Sequence, residues 1–306
     1  MTKLLPDWTK PKELVLVYPN SLKVNYRRTD RKLLLPFFED FIELITKHNP
    51  ETSIRIIGQA GEKDGHSDDL LAIQILKDKL KANIIMEGFE IQDIWIRDWA
   101  PINYLRNSTN RLIKFRFKPT YCRTSQNIDN SAGKHLAAIL SNSGETINLN
   151  LEGGNIISNG EVMITTEKFY TENRTKTKEA IDILLKTVFG LKEIIVIPVE
   201  KHDKVGHIDG ICRFIDEKTL IFPSYPTYYP ETKYIDNVIN IIHSKLKKYK
   251  IKFHCIESYL TDNINKEDIY SAEGNYMNYF RIENVIYVPQ FNIFCFRIIS
   301  WIRREY

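Results

Sequence analysis

The sequence predicts an α/β fold of repeated units, a single domain over residues 1–306. Three observations carry that prediction. Four hairpin patterns recur along the chain, with a helical pattern between each and the next. The corresponding strand starts at Asp98, Glu152 and Asp209 stand 54 and 57 residues apart, a period that marks repeated supersecondary units. An acidic residue also stands just before each hairpin. Such a pattern excludes a coiled coil or helical bundle, and the hairpins argue against a simple parallel doubly wound sheet.

Taken in order, Leu14 to Tyr18 is an apolar run ending at Pro19, which predicts a strand buried on both faces. Leu34, Phe37, Phe38, Phe41, Ile42 and Ile45 recur at helical spacing until Asn49-Pro50 breaks the pattern. Ile54 to Ile57 is the next strand, closed by Gly58. A helix fits Ser67 to Leu80, with Leu70, Ile73, Leu76 and Leu80 on one face. A strand over Ile91 to Ala100 comes next. On it, Ile94 and Ile96 share an apolar face, Asp93, Trp95 and Arg97 share the other, and Pro101 ends the ladder.

The hairpins follow. They pair Ala100–Leu105 with Leu112–Phe117, and Gly154–Ser158 with Glu161–Thr165 across an Asn159-Gly160 turn. The third pairs Gly210–Ile215 with Thr219–Phe222, and the fourth Asn275–Ile282 with Val285–Val288. Helical patterns cover Ser131–Leu140, Thr177–Phe189 (ended by Gly190) and Glu231–Leu246. Strands at Ile194–Ile197 and Ile251–His254 follow the second and third of these.

Composition narrows the function classes. Apolar residues at 43% and charged residues at 27% are ordinary for a globular protein, so disorder is not the default anywhere. A net charge of +4 with scattered basic residues argues against nucleic acid as a partner, including at the Lys245–Lys252 run. The N-terminus lacks a signal-peptide core and no apolar run reaches spanning length, so the expectation is a cytoplasmic protein without a membrane partner. Cys122, Cys212, Cys255 and Cys295 form no CxxC pair, which argues against a zinc knuckle or a dense disulfide framework. The sequence leaves the oligomeric state open.

The candidate site lies in what precedes the hairpins: Arg97-Asp98, Glu152-Gly153-Gly154-Asn155, Gly206-His207-Ile208-Asp209 and Glu273-Gly274-Asn275. In a repeated architecture, equivalent strand ends meet, so Asp98, Glu152, Asp209 and Glu273 would converge with His207. Carboxylates sharing one pocket repel unless a cation answers them. A divalent metal is one answer, but HExxH, HxH and EF-hand spacings are all missing. A guanidinium is the other. Its planar donors suit carboxylates set edge-on, and Trp95 or Trp99 would stack on it.

The sequence resembles the agmatine deiminase and bacterial peptidylarginine deiminase family of guanidino-modifying enzymes. The matching stretches are Leu5-Pro6-Asp7-Trp8, Asp93 to Asp98 with Pro101, Glu152 to Asn155, Gly206 to Asp209, and Asn278-Tyr279-Phe280 through Val288-Pro289-Gln290-Phe291. The resemblance implies a five-unit pseudo-symmetric α/β propeller. It also implies hydrolysis of a guanidino group to a ureido group with release of ammonia, without metal or cofactor. The substrate would be a small cationic guanidino compound or an arginine-containing peptide. By motif match, Asp98 and Asp209 would hold the guanidinium nitrogens. Glu152 would pair with His207 and orient the group, and His207 would protonate the leaving ammonia and then activate water. Trp95, Asp93, Arg97 and Asn155 would complete the binding shell.

The family's cysteine nucleophile lies in a glycine-rich segment beyond a further helix. After Phe291 this chain reads Asn292 to Tyr306 without a glycine loop, a divergent tail that resembles a shifted frame or an early end. The expectation is a last unit left incomplete, an impaired enzyme or a guanidino-binding protein without catalysis, and poor solubility. Cys295 lacks the helix that would return it to the cavity. Alternation places Cys212 in a core.

Overall fold

A computed structural model describes residues 1–19, 28–60, 68–119, 126–141, 144–201, 203, 205–229, 231–258 and 274–290. Its elements in chain order are β1 (Thr2–Leu4), β2 (Glu13–Val17), α1 (Arg28–His48), β3 (Ser53–Gly58), α2 (Asp68–Leu80), β4 (Ile84–Gly88) and α3 (Ile96–Trp99). Then come β5 (Ile102–Arg106), β6 (Thr109–Arg116), α4 (Gln126–Leu140), β7 (Gly144–Asn150), β8 (Ile157–Ser158), β9 (Val162–Thr166) and α5 (Lys168–Thr171). The rest are α6 (Lys178–Phe189), β10 (Glu193–Ile197), β11 (Arg213–Asp216), β12 (Thr219–Ser224), α7 (Glu231–Leu246), β13 (Lys252–Glu257), β14 (Phe280–Ile282) and β15 (Val285–Tyr287). The chain divides into two compact units. The first holds Met1–Thr9, Asn103–Arg111 and Gly154–Tyr306, and the second holds Lys10–Ile102 and Leu112–Gly153.

The second unit opens with an all-parallel sheet in the order β2-β3-β4, with α1 and α2 as the crossovers. Two helical connections of this length are what parallel neighbours require. Arg55 on the middle strand pairs with Glu13 at 2.6 Å and with Glu87 at 2.5 Å, joining both flanking strands. Asp69, fully buried in the first turn of α2, accepts from Gln59 N at 3.0 Å and so ties the helix to the exit of β3. Deeper in the unit, Val17, Ile57, Ile91, Trp99, Phe117, Ala132 and Leu136 form a core against which Ile94 and Ile96 pack. β6 and β7 pair in parallel across α4.

In the first unit the hairpin–helix–strand rhythm is explicit. β8 and β9 form an antiparallel pair, and β10 returns parallel to β9 after α6. β11 and β12 repeat the antiparallel pair, with β13 parallel to β12 after α7. β14 and β15 form a third hairpin. α6 starts on Thr177, whose hydroxyl accepts from Ala180 N, and stops at Gly190 with φ 67°. Only glycine suits that stop, because an added Cβ would stand 2.0 Å from the Thr2 carbonyl oxygen. Ile157, Val162, Ile164, Ile195, Phe214, Phe222 and Val238 belong to one buried cluster joining both sheets and α7.

The hairpins and the helices α2, α4, α6 and α7 fall where the hydrophobic pattern places them, with ends that differ by up to about five residues, while the short turns α3 and α5 were not anticipated. Three strands escaped the pattern: β1, only three residues long, β4, Ile84 to Gly88, in place of which a strand was expected further on at Ile91, and β7, Gly144 to Asn150, whose Asn and Thr positions mask its alternation. One expectation is overturned. Ile91 to Ala100 is not a strand, since β4 ends at Gly88 and the next element is the single helical turn α3.

Candidate functional site

The reason for that departure lies in two carboxylates. Asp129, on α4, accepts from Gln92 N at 2.9 Å and from Asp93 N at 3.2 Å through the same oxygen. Asp93, itself fully buried, turns its Oδ1 to Trp95 N at 2.9 Å, and its carbonyl accepts from Trp99 Nε1 at 3.0 Å. Backbone N–H groups that a strand would offer to a neighbour are thus taken by side chains. The alternating faces disappear with the strand: Asp93 is buried, Trp95 and Arg97 are exposed, and Asp98 is half-buried.

Glu152 is 3% exposed and directly precedes Gly153. A Cβ at Gly153 would lie 2.0 Å from the Arg97 carbonyl oxygen, so this backbone passes against the Arg97-Asp98 turn in a way only glycine permits. Two of the motifs singled out in the sequence therefore meet inside the second unit. Beneath the same turn, Gly133 of α4 leaves room for both the Trp99 carbonyl and the Lys114 side chain. Lys114 is 2% exposed and donates to the Phe115 carbonyl and to Asn130 Oδ1. Burial and the neighbouring Lys134 lower its pKa to about 7, with Asp129 opposing them.

The other motifs meet inside the first unit. Asp209 N donates to the Gly154 carbonyl at 3.2 Å, and Asn275 Nδ2 donates to the Gly210 carbonyl at 2.9 Å. Asn155, 2% exposed, accepts from Thr166 N at 3.1 Å, and the Thr166 hydroxyl donates to the Gly206 carbonyl at 2.7 Å. Asp203 accepts from Val205 N at 2.8 Å and His207 N at 3.2 Å, shaping the turn in which Gly206 takes φ 69°. His207 is half-buried and Asp209 is 7% exposed. The consecutive motifs therefore engage one another: Gly153 reaches Arg97, Gly154 reaches Asp209, and Asn275 reaches Gly210.

Sequence reasoning missed Asp129, Asp203 and Lys114, which build the turns. Asp203, four residues before His207, carries a local signal, since a short acidic side chain often caps its own turn. Asp129 carries none, because its partners Gln92 and Asp93 lie far along the chain, and Lys114 carries none because its burial is set by tertiary packing. The described cysteines behave as cores and edges do. Cys212 is fully buried and its thiol is pushed well up by burial, with Arg213 opposing only in part. Cys255, exposed on β13, is raised by partial burial and Asp236. Neither has the electropositive setting that makes a thiolate. Cys122, Glu273, Cys295 and the tail from Phe291 lie outside the described residues. No group of three His, Cys, Asp or Glu among the described residues is placed to hold a metal ion, and none of their helices is long and apolar enough to cross a membrane.

Comparison with known proteins agrees with the geometry. The family profile described as Porphyromonas-type peptidyl-arginine deiminase matches residues 3–293. A search of curated proteins returned no match. Among solved structures, C. jejuni agmatine deiminase is 24% identical with a TM-score of 0.75, covering 95% of this chain and 83% of that one. A cysteine-to-serine variant of the C. jejuni enzyme with substrate bound is 22% identical, with a TM-score of 0.75 over 95% and 84% of the two chains. The agmatine deiminase of Enterococcus faecalis, described as catalysing its reaction, is 17% identical with a TM-score of 0.76 over 94% and 83%. The mixed α/β fold is that of these structures.

Proposed function

Because the chain belongs to the Porphyromonas-type peptidyl-arginine deiminase family, whose members act on guanidino groups, we propose that it binds a guanidinium through Asp98 and Asp209. The substrate is agmatine, peptidyl arginine or free arginine, and the setting is the cytoplasm. The proposed fold is the five-unit propeller, one domain over 1–306, to which the parallel β2-β3-β4 sheet and the hairpin units each contribute a blade. The observation that carries the reading is the engagement of successive motifs within each unit, above all Gly153 against Arg97 and Asp209 against Gly154.

The chemistry follows from residue types. A carboxylate accepts two parallel N–H donors from a guanidinium, which stays charged at ordinary pH. Two such acceptors orient its plane and leave the central carbon open to attack from one face. Asp98 is half-buried and Asp209 nearly fully buried, so contacts there are screened less than at the surface. His207 would donate a proton to the departing ammonia and then take one from the water that completes hydrolysis. Glu152 would hold a positive charge on His207 or on the substrate. Trp95, exposed on the α3 turn, would offer a face to the planar cation. Arg97 would frame the mouth of the pocket. The carboxylate of Asp93 and the amide of Asn155 support the binding backbone rather than face the substrate, as their bonds to Trp95 N and Thr166 N suggest.

Such hydrolysis needs a thiolate, and neither Cys212 nor Cys255 is suited to supply it. The alternative reading is guanidino binding without turnover. Calorimetry with agmatine and ammonia release from agmatine, free arginine and a C-terminal-arginine peptide distinguish the two. Binding abolished by Asp98→Asn is the result expected on either reading. Ammonia release lost in Cys295→Ser would make the chain an enzyme with its nucleophile in the tail. Unchanged agmatine affinity in both Asp98→Asn and Asp209→Asn would remove the guanidino reading.

A further inference from the structure

β2 is an edge of the β2-β3-β4 sheet, with no strand on its outer side among the described residues. Tyr18 N donates to the Ile57 carbonyl at 2.8 Å, so Leu14, Leu16 and Tyr18 turn their N–H and C=O groups towards β3. By alternation, the backbone groups of Glu13, Val15 and Val17 point outward. Edge strands are commonly blunted by a lysine, a proline or a bulge. β2, Glu13-Leu14-Val15-Leu16-Val17, has none of these along its length.

A helix flank beside that edge is bare as well. Right-handed crossovers put α1 and α2 on one face of the sheet, α1 over β2 and β3, α2 over β3 and β4. The Tyr18 hydroxyl donates to Glu39 at 3.4 Å and feels the charge of Asp69 on α2, so the Glu39 flank of α1 faces α2. At about 3.6 residues per turn, Phe37, Phe41 and Leu44 fall on the opposite flank, over β2. Phe37 is 62% exposed and Leu44 45%, and the Phe37 and Phe41 rings stack with centroids 6.1 Å apart.

We propose that this edge and flank form an interface with a second copy of the chain, β2 pairing antiparallel with its counterpart across a two-fold axis. A two-fold axis perpendicular to the sheet makes two identical edge strands antiparallel. It sets Val15 opposite its own image and continues the sheet through the partner's strands. The helices fit the same axis. α1 stands about one strand spacing from it, so the two copies of α1 lie about 10 Å apart, the usual distance between packed helices. The apolar stripe is centred on Phe41, so Phe37 meets Leu44 of the other copy and Phe41 meets its own image. Val15 lies about 7 Å from the Glu13 end of the sheet, and Phe41 about 10 Å from the end of α1 that leads there. One axis therefore serves both elements, and that shared fit is what identifies the partner as a second copy. A short edge and one helix flank make a small contact, so the dimer should form in the range of about 10 µM.

The test is sedimentation velocity of the full chain from about 1 to about 100 µM. A monomer that gives way to a saturating dimer is the expected result. Val15→Pro removes an outward N–H that β3 does not use, a place where an edge strand tolerates proline. It should abolish the dimer across that range. Phe37→Glu combined with Leu44→Glu should weaken it about a hundredfold, because each change counts twice across the axis. A melting curve for each variant reports whether it folds, and should Val15→Pro not fold, the α1 variant decides alone. A monomer at every concentration overturns the proposal, and so does growth past the dimer without limit. A dimer of unchanged affinity in either folded variant overturns it too.

Discussion

The Gln92–Trp99 segment and the Asp203–Asp209 segment solve the same problem in different ways. Each must hold an irregular backbone that presents an acid, Asp98 in one and Asp209 in the other. The second does so locally: Asp203 accepts from backbone groups two and four residues ahead of it, and glycine supplies the left-handed step. The first depends on distant chain, because Asp129 reaches Gln92 and Asp93 from a helix some three dozen residues on, and Gly153 packs from further still. A turn held by its own residues is legible in sequence, whereas one held by a remote carboxylate imitates whatever its local pattern resembles. Gln92 to Trp99 imitates a strand.

The sharpest way to break this comparison is Gly153→Ala. The new Cβ would meet a backbone oxygen at 2.0 Å rather than the end of a flexible side chain. Overpacking against backbone should cost about 3 kcal/mol, read as a shift of the urea unfolding midpoint. A loss under about 0.5 kcal/mol, the range of neutral surface changes, would mean that the two segments do not lock together.

The paired acids come next. Asp129→Ala strands two backbone N–H groups, one on fully buried Asp93, and should cost about 2 kcal/mol. Asp203→Ala also removes two acceptor contacts, but from a partly exposed turn where water can replace them. It should cost about 1 kcal/mol or less. Equal losses measured by the same unfolding curves would erase the distinction between remote and local support.

The smallest effect concerns Lys114, which lies under the remotely held turn. Its folded-state pKa of about 7 lies below its ordinary value of 10.5. Between those values the unfolded chain holds a proton that the folded chain does not, so stability rises with pH across that window. The slope approaches about 1.4 kcal/mol per pH unit, and below pH 7 both states are protonated and the burial penalty is felt in full. Lys114→Met should remove this rise, as judged from unfolding midpoints at pH 7.5 and 8.5. Parallel pH dependence in the two proteins would show that Lys114 keeps its charge when buried.

Much of the fold was legible because its signals are local. Helical spacing in Ile181, Leu185 and Phe189, the Asn159-Gly160 turn and the Gly190 stop each depend on residues within a turn or two. The acids before the hairpins were legible too, because a repeat brings them into register along the chain. Which acids build and which face a ligand was not. Asp93 and Asp98 are five residues apart and chemically alike, yet one is buried accepting from a backbone amide and the other is half-exposed. Asp203 and Asp209 divide their work in the same way.

By itself, then, the sequence determined the α/β class, the hairpin–helix–strand rhythm and the place of Asp98, Glu152 and Asp209 ahead of successive hairpins. Hydrophobic periodicity and turn chemistry act over a few residues, and both are written in order along the chain. Tertiary structure alone decided the path from Ile91 to Trp99, the burial of Asp93, Asp129 and Lys114, and the approach of Gly153 to Arg97. Those depend on which distant donor or carbonyl is brought within about 3 Å, the reach of a hydrogen bond.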